Sequence, residues 1–395
     1  MKRLLYVLPT LGPGGAERAA VSIAQNLVDL YGYKVTFFTM YSENYFTDDF
    51  NGNLDFVSAN LLQKKSKLQK WLNQYIYFFH ALKSFINRRE FDIIVSGYEI
   101  DSEIPLIELA LIDKIFVKKR KKIKLISIIQ NSILTSTGSF RSDRNKTMLT
   151  AVSYGRRLIF DHIVVVTTNI KNEMKEIAQD KITIIPNPIN TVYVIAKSNE
   201  EIKEENLGWF DEPYYINVAR IASQKNQLLL LKAFASIIDK ISWNLLMVGG
   251  ISEPWYHQKI SKYINENKLY DRVHHFLPPK NHFPYIRRSR AFVFTSRYEG
   301  LPLTILETMA LRKIIISIKF TGYENILNSK NSILVDDENV MQLADAMLRL
   351  SEGKYEEEKI VLAANDTVRH YEHTIVSEKY HQLFDSLIDP NNLHI

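Results

Sequence analysis

Two doubly wound α/β domains are the fold class this sequence predicts, and three observations predict it. Short apolar runs rich in Val, Ile, Leu, Tyr and Phe alternate with longer helix-patterned segments along the chain, as expected of parallel sheets buried on both faces. The alternation breaks at Pro186-Asn187-Pro188-Ile189-Asn190, after which a polar stretch runs to Glu205. Glycine-bearing loops follow several of the apolar runs, on the sheet edge where ligands collect.

In chain order, the first series of strands is expected at residues 4–8, 34–39, 92–96, 124–130, 163–168 and 182–185. The second is expected at 214–218, 244–248, 273–276, 291–295, 313–318 and 333–335. The expected division is therefore 1–188 for the first domain and 189–370 for the second, with residues 371–395 a terminal segment carrying a helical pattern.

Composition narrows the function classes. With 395 residues, 46% hydrophobic and 24% charged, the chain has enough apolar material for two cores. There is no cysteine, which excludes disulfides, thiolate nucleophiles and cysteine zinc sites and fits a reducing interior. The opening Met1-Lys2-Arg3-Leu4-Leu5-Tyr6-Val7-Leu8 is too short and wrongly followed for a secretory leader, so it reads as a first buried strand. No apolar run is long enough to span a bilayer.

The net charge of +6 points to an anionic partner. Two basic clusters lie in the first half: Lys118, Lys119, Arg120, Lys121, Lys122 and Lys124, behind an apolar stretch at 104–117, and Lys64, Lys65, Lys67 and Lys70, ahead of Trp71, Tyr75, Tyr77, Phe78 and Phe79. Cations beside interfacial aromatics suit an anionic membrane surface, although a solvated face explains them equally. No nucleic-acid recognition signature accompanies the charge, so no nucleic acid partner is expected.

The segment from Ser296 to Glu307 carries the chemistry. Pro302 suits a first helical position, which would leave the N–H groups of Leu303, Thr304 and Ile305 to bind an anion with help from the helix dipole. Glu307, about 1.5 Å per residue further along, can accept from a ribose diol, while Glu299 stays in the loop beside the group that the phosphate carries. A nucleotide sugar has this layout. In the second domain's first loop, Arg220 and Lys225 can neutralise a diphosphate without a metal. In the first domain's first loop, Gly14 and Gly15 would bring bare backbone close to a ligand, although Glu17 replaces the third glycine of a dinucleotide fingerprint. No metal-ligand spacing stands out, so no metal or other cofactor is expected. The histidines, His162, His274 and His275 among them, read as structural.

With these elements in place the chain resembles the retaining glycosyltransferases of family 4. The resemblance rests on Gly14-Gly15-Ala16-Glu17-Arg18, Ile185-Pro186-Asn187-Pro188, Arg220 with Lys225, Val248-Gly249-Gly250, and Glu299 to Glu307 with seven residues between the glutamates. It implies the GT-B fold, two Rossmann-like doubly wound domains facing across a cleft, with the final helix returning to the first domain. It implies that Arg220 and Lys225 hold the donor diphosphate, that Glu307 binds the ribose, and that Glu299 with Gly300, Leu301, Pro302 and Leu303 contacts the sugar. Many members carry a histidine where this chain has Gln130, next to Asn131; a glutamine there can orient a sugar or acceptor but cannot carry a proton.

The expected reaction is transfer of a hexose or N-acetylhexosamine from a UDP- or GDP-linked donor. The acceptor would be lipid-linked or a polysaccharide, as in capsule or lipopolysaccharide synthesis, and would lie between the domains against Gly14, Gly15, Gln130 and Asn131. The enzyme would work in the cytoplasm, peripherally at the inner face of the cell membrane. A nucleotide-sugar epimerase or a glycoside phosphorylase on the same scaffold is the rival reading.

Overall fold

The computed structural model describes residues 1–12, 14–46, 53–61, 76–97, 123–131, 159–174, 179–202, 212–277, 279 and 281–389. The chain divides into two compact units, Met1–Pro188 with His373–Ile395, and Ile189–Glu372.

The first unit is built on strands β1 (Arg3–Leu8), β2 (Lys34–Thr39), β3 (Leu54–Ser58), β4 (Ile93–Ser96), β5 (Lys124–Ile129), β6 (His162–Val165) and β7 (Ile182–Ile184). They form one parallel sheet in the order β3-β2-β1-β4-β5-β6-β7. The second unit holds β8 (Tyr214–Val218), β9 (Asn244–Val248), β10 (Val273–Phe276), β11 (Ala291–Phe294), β12 (Ile314–Ile318) and β13 (Ile333–Val335), parallel in the order β10-β9-β8-β11-β12-β13. In both sheets the order reverses beside the first strand, between β1 and β4 and between β8 and β11. The carboxyl edge beside such a reversal is where ligands of open α/β sheets bind.

The near-continuous apolar strands follow from burial on both faces: β8, β9 and β12 are buried at every residue. Two tyrosine hydroxyls of β8 find partners across the layers. The hydroxyls of Tyr214 and Tyr215 each donate at 2.6 Å, to the carbonyls of Tyr285 and Met347.

Several expectations shift. The edge strand β3 was not anticipated, because Leu-Asp-Phe-Val-Ser is only half buried and lacks a continuous apolar run. The strand expected at 163–168 starts at His162 and stops at Val165, because the Thr167 side chain accepts from the Ile170 N–H and caps a helix over Thr168–Glu173. Phe78 and Phe79, grouped above with interfacial aromatics, are core residues packed beneath β1 and β4 with Leu5 and Ile94. The basic residues 64–70 and 118–122, the apolar stretch 104–117, and Trp71 and Tyr75 fall outside the described residues. Among the described residues, no helix is long and apolar enough to cross a membrane.

The terminal helix, His373–Ile388, buries Val376, Tyr380 and Phe384 against Leu4, Tyr6, Ala24 and Leu27 of the first unit. Polar contacts fix its register there. The Asn26 side chain lies 2.6 Å from Nδ1 of His373 and donates to Ser377 at 3.0 Å, Tyr33 donates to Asp385 at 3.0 Å, and Lys2 pairs with Asp385.

Gly249, directly after β9, passes so close to the turn after β8 that a Cβ placed on it would lie 1.8 Å from the Ala219 carbonyl oxygen. That oxygen is backbone and has no room to yield. Gly249→Ala should therefore cost roughly 3 kcal/mol or more, at the upper end of overpacking penalties. Urea denaturation of the variant checks this, and wild-type stability would contradict it.

Candidate functional site

The site in the second unit grows from the two strands that flank its reversal. After β8 the chain turns through Ala219 and Arg220, makes a 3-10 turn over Ser223–Lys225, and enters the helix Gln227–Ala235 through Asn226 in the left-handed region, φ 52°. After β11, residues 295–302 lead into the helix Leu303–Ala310. Four hydrogen bonds stitch the two loops together. Thr295 Oγ1 donates to the Lys225 carbonyl at 2.9 Å and the Gln224 amide to the Tyr298 carbonyl at 2.8 Å. The Arg297 N–H donates to the Gln224 carbonyl at 2.9 Å, and the Arg297 guanidinium to the Ser223 carbonyl at 2.5 Å.

Within that frame Lys225 Nζ and Glu299 Oε1 lie 2.5 Å apart, their side chains only 16% and 10% exposed. From the sequence, Lys225 is expected at the diphosphate and Glu299 at the sugar. The fold joins them, because their loops sit on adjacent strands. Lys225 is thus already engaged by a carboxylate, whereas the exposed Arg220 forms no ion pair among the described residues and has its whole charge to offer. Its backbone is held from beneath: the fully buried Gln227 donates its side-chain N–H to the Arg220 carbonyl at 2.9 Å.

The helix begins one residue later than expected. Pro302 is its N-cap, with φ −73° and ψ 116°, and the Ile305 N–H donates back to the Pro302 carbonyl at 3.2 Å. The N–H groups of Leu303 and Thr304 remain in the first turn, where no intrahelical acceptor exists. Gly300 and Leu301 are buried, and Pro302 and Thr304 are half-buried.

Glu307 lies one turn deeper and is almost fully buried. Its Oε2 is 2.7 Å from His282 Nε2, which must donate because a carboxylate only accepts. His282 was missed in the sequence, since nothing in linear spacing ties residue 282 to residue 307. The one available signal was its place in the loop after β10, on the same carboxyl edge of the sheet.

In the first unit Gly14 caps the helix Gly15–Tyr31 in extended conformation. The turn is not bare. The buried Glu17 folds back so closely that a Cβ on Gly14 would meet its Oε2 at 2.1 Å. A carboxylate over the first turn supplies the negative charge that a helix N-terminus favours, which disfavours a second anion there. Gln130, half-buried, and Asn131, exposed, follow β5, two strands away from β1 in the sheet. The structure thus brings Arg220, Lys225, Glu299, Thr304 and Glu307 to one edge of the second sheet, and Gly14, Gly15, Gln130 and Asn131 to the carboxyl edge of the first.

His162 lies 2.8 Å from Thr183 Oγ1 at the start of β6, and His275 donates to the Gly249 carbonyl at 2.8 Å. Burial lowers the pKa of both, consistent with neutral structural roles. Among the described residues no group of three His, Asp or Glu is arranged to hold a metal ion.

Removing one member of a mostly buried pair strands the other. Lys225→Met should cost about 3 kcal/mol of stability, and most of that should return when Glu299→Gln is added. Denaturant titration of the two single variants and the double variant measures the coupling; strictly additive losses would contradict the pairing.

Known proteins share this architecture. The family model described as Glycosyltransferase Family 4 matches residues 13–193, and that described as Glycosyl transferases group 1 matches residues 198–367. An uncharacterized glycosyltransferase of Methanocaldococcus jannaschii is 28% identical over 70% of this chain and 68% of its own length. The amylovoran biosynthesis glycosyltransferase AmsD of Erwinia amylovora is 26% identical over 78% of each chain. Among solved structures, HepE of Anabaena in complex with UDP-glucose has a TM-score of 0.77 at 15% identity, covering 98% of this chain and all of its own. The sucrose-phosphate synthase of Thermosynechococcus elongatus also has a TM-score of 0.77, at 17% identity, covering 98% of this chain and 99% of its own. With one family model on each half and both sheets wound in the same order, this chain belongs to the GT-B glycosyltransferases of the family 4 type.

Proposed function

We infer that this enzyme transfers a hexose or N-acetylhexosamine from a UDP- or GDP-linked donor, with retention at the anomeric carbon, to a lipid-linked or polysaccharide acceptor. The observation that carries this reading is the gathering of an arginine with no ion pair among the described residues, a lysine–glutamate pair, a helix start and a buried glutamate on one sheet edge. A nucleoside diphosphate sugar presents matching groups in matching order: two phosphates, a ribose diol and a sugar.

As the glycosidic bond breaks, negative charge grows on the leaving diphosphate. Arg220, Lys225 and the N–H groups of Leu303 and Thr304 would stabilise it, which is electrostatic catalysis by preorganised donors. The departing phosphate oxygen would take the acceptor's proton on the same face, so no enzymic nucleophile is needed. Glu299, tethered to Lys225, would then orient the sugar or face its developing positive charge. The neutralised helix start at Gly14 suits a hydroxylated acceptor better than a phosphate, and Gln130 and Asn131 add neutral hydrogen-bonding groups on that sheet edge. AmsD, named for amylovoran biosynthesis, supports a polysaccharide or its lipid-linked precursor as the acceptor class.

Arg220→Ala should raise the barrier by about 2.7 to 4 kcal/mol, roughly a hundredfold or more in turnover, while leaving the fold intact. Steady-state rates with the donor checks this. A chelator should leave the rate unchanged, and activity lost to chelator and restored by magnesium or manganese would contradict the metal-free mechanism. Incubation with donor alone should yield no epimer; an epimerised nucleotide sugar would favour the rival reading.

The two glutamates should separate. Glu307→Gln should weaken binding of both free nucleotide and nucleotide sugar, whereas Glu299→Gln should spare free nucleotide and depress transfer. Calorimetry with UDP and GDP distinguishes them, and equal losses for free nucleotide would contradict the division of roles.

A further inference from the structure

The His282–Glu307 contact joins two elements remote in sequence at the floor of the donor site. His282 is the N-cap residue of the helix Phe283–Arg288, and its loop is anchored independently. The Asn281 side chain donates to the Lys197 carbonyl at 2.7 Å and to Glu200 at 2.8 Å, while its own oxygen accepts from the Phe283 N–H at 3.0 Å. The imidazole packs against the Phe283 ring, centroids 4.6 Å apart. Its side chain is 13% exposed, so the ring has little room to swing away from the carboxylate 2.7 Å from Nε2.

We propose that His282 is a positioning residue for nucleotide recognition: by donating to Glu307 Oε2 it fixes the carboxylate in the orientation that accepts the ribose diol. This rests on Glu307 being the ribose-binding group of the proposed function. A glutamate side chain turns about three bonds, and a diol donates well to a carboxylate only when the carboxylate plane is turned to face it. An ionised carboxylate has about four acceptor sites, so the bond from imidazole does not by itself exhaust them. The same bond also helps satisfy a buried carboxylate, a purely structural benefit that a test of positioning has to separate.

The discriminating readout is selectivity for ribose hydroxyls. The probes are UDP and 2′,3′-dideoxy-UDP, with GDP and its dideoxy form in parallel, bound to the full-length protein and measured by calorimetry. Wild type should prefer the hydroxylated nucleotide. His282→Ala should raise the Kd of that nucleotide about tenfold and leave the dideoxy form within about twofold, erasing most of the preference; tenfold corresponds to about 1.4 kcal/mol. His282→Gln, which keeps an N–H donor, should recover much of it. Adding His282→Ala to Glu307→Gln should cost little more than Glu307→Gln alone.

A structural role alone would lower thermal stability and weaken both nucleotides equally. Equal weakening, or a wild-type preference kept intact in His282→Ala, overturns the proposal. Should the alanine variant not fold, His282→Phe fills the same space without a donor, and the same comparison applies. A wild-type protein that does not distinguish the two nucleotides refutes the Glu307 assignment itself, a separate outcome.

Discussion

The reversal of strand order between β8 and β11 is the constraint on which this site depends. On one side of that point the chain leaves the sheet towards the helix Gln227–Ala235, and on the other towards Leu303–Ala310. The two loops therefore emerge side by side on one edge of the sheet, and every group proposed to meet the donor comes from one of these loops or from the helix that follows. Without the reversal, Lys225 and Glu299, 74 positions apart, would have no reason to touch.

The Lys225–Glu299 pair gives that geometry an energetic consequence. Two largely buried charges cost several kcal/mol each to desolvate, and their attraction offsets this only with good geometry and supporting hydrogen bonds. The loops supply both, through the carbonyl of Lys225 accepting from Thr295 and the cross-links made by Gln224 and Arg297. An incoming diphosphate, bound as proposed, would meet a lysine already partnered and an arginine with no ion pair among the described residues. Binding would turn the pair into a three-body arrangement in which Lys225 faces the phosphates and Glu299 stays close to the sugar.

Much of the fold was legible because buried parallel strands have a strong local signature: β8, β9, β10 and β13 lie at the expected residues. Ends were less legible where one side chain decided them, as when Thr167 caps a helix and cuts β6 short, or Pro302 becomes a cap and not a first helical residue. The edge strand β3 escaped because half-burial removes the continuous apolar run. In the site, residue types and their loops could be read from the sequence, but partnerships could not. The approach of Glu17 to Gly14, of His282 to Glu307 and of Lys225 to Glu299 depends on side-chain reach or on tertiary neighbours, and linear spacing encodes neither well.

The central claim is that the donor's phosphates settle at the β8/β11 edge of the second sheet and not at the glycine turn after β1. Amide hydrogen exchange with and without a saturating nucleoside diphosphate tests it most directly, because it reports protection residue by residue. The account predicts slowed exchange at residues 219–225 and at Leu303 and Thr304, with Gly15 to Arg18 unchanged. Protection at Gly15 to Arg18 without protection at Leu303 and Thr304 would contradict it.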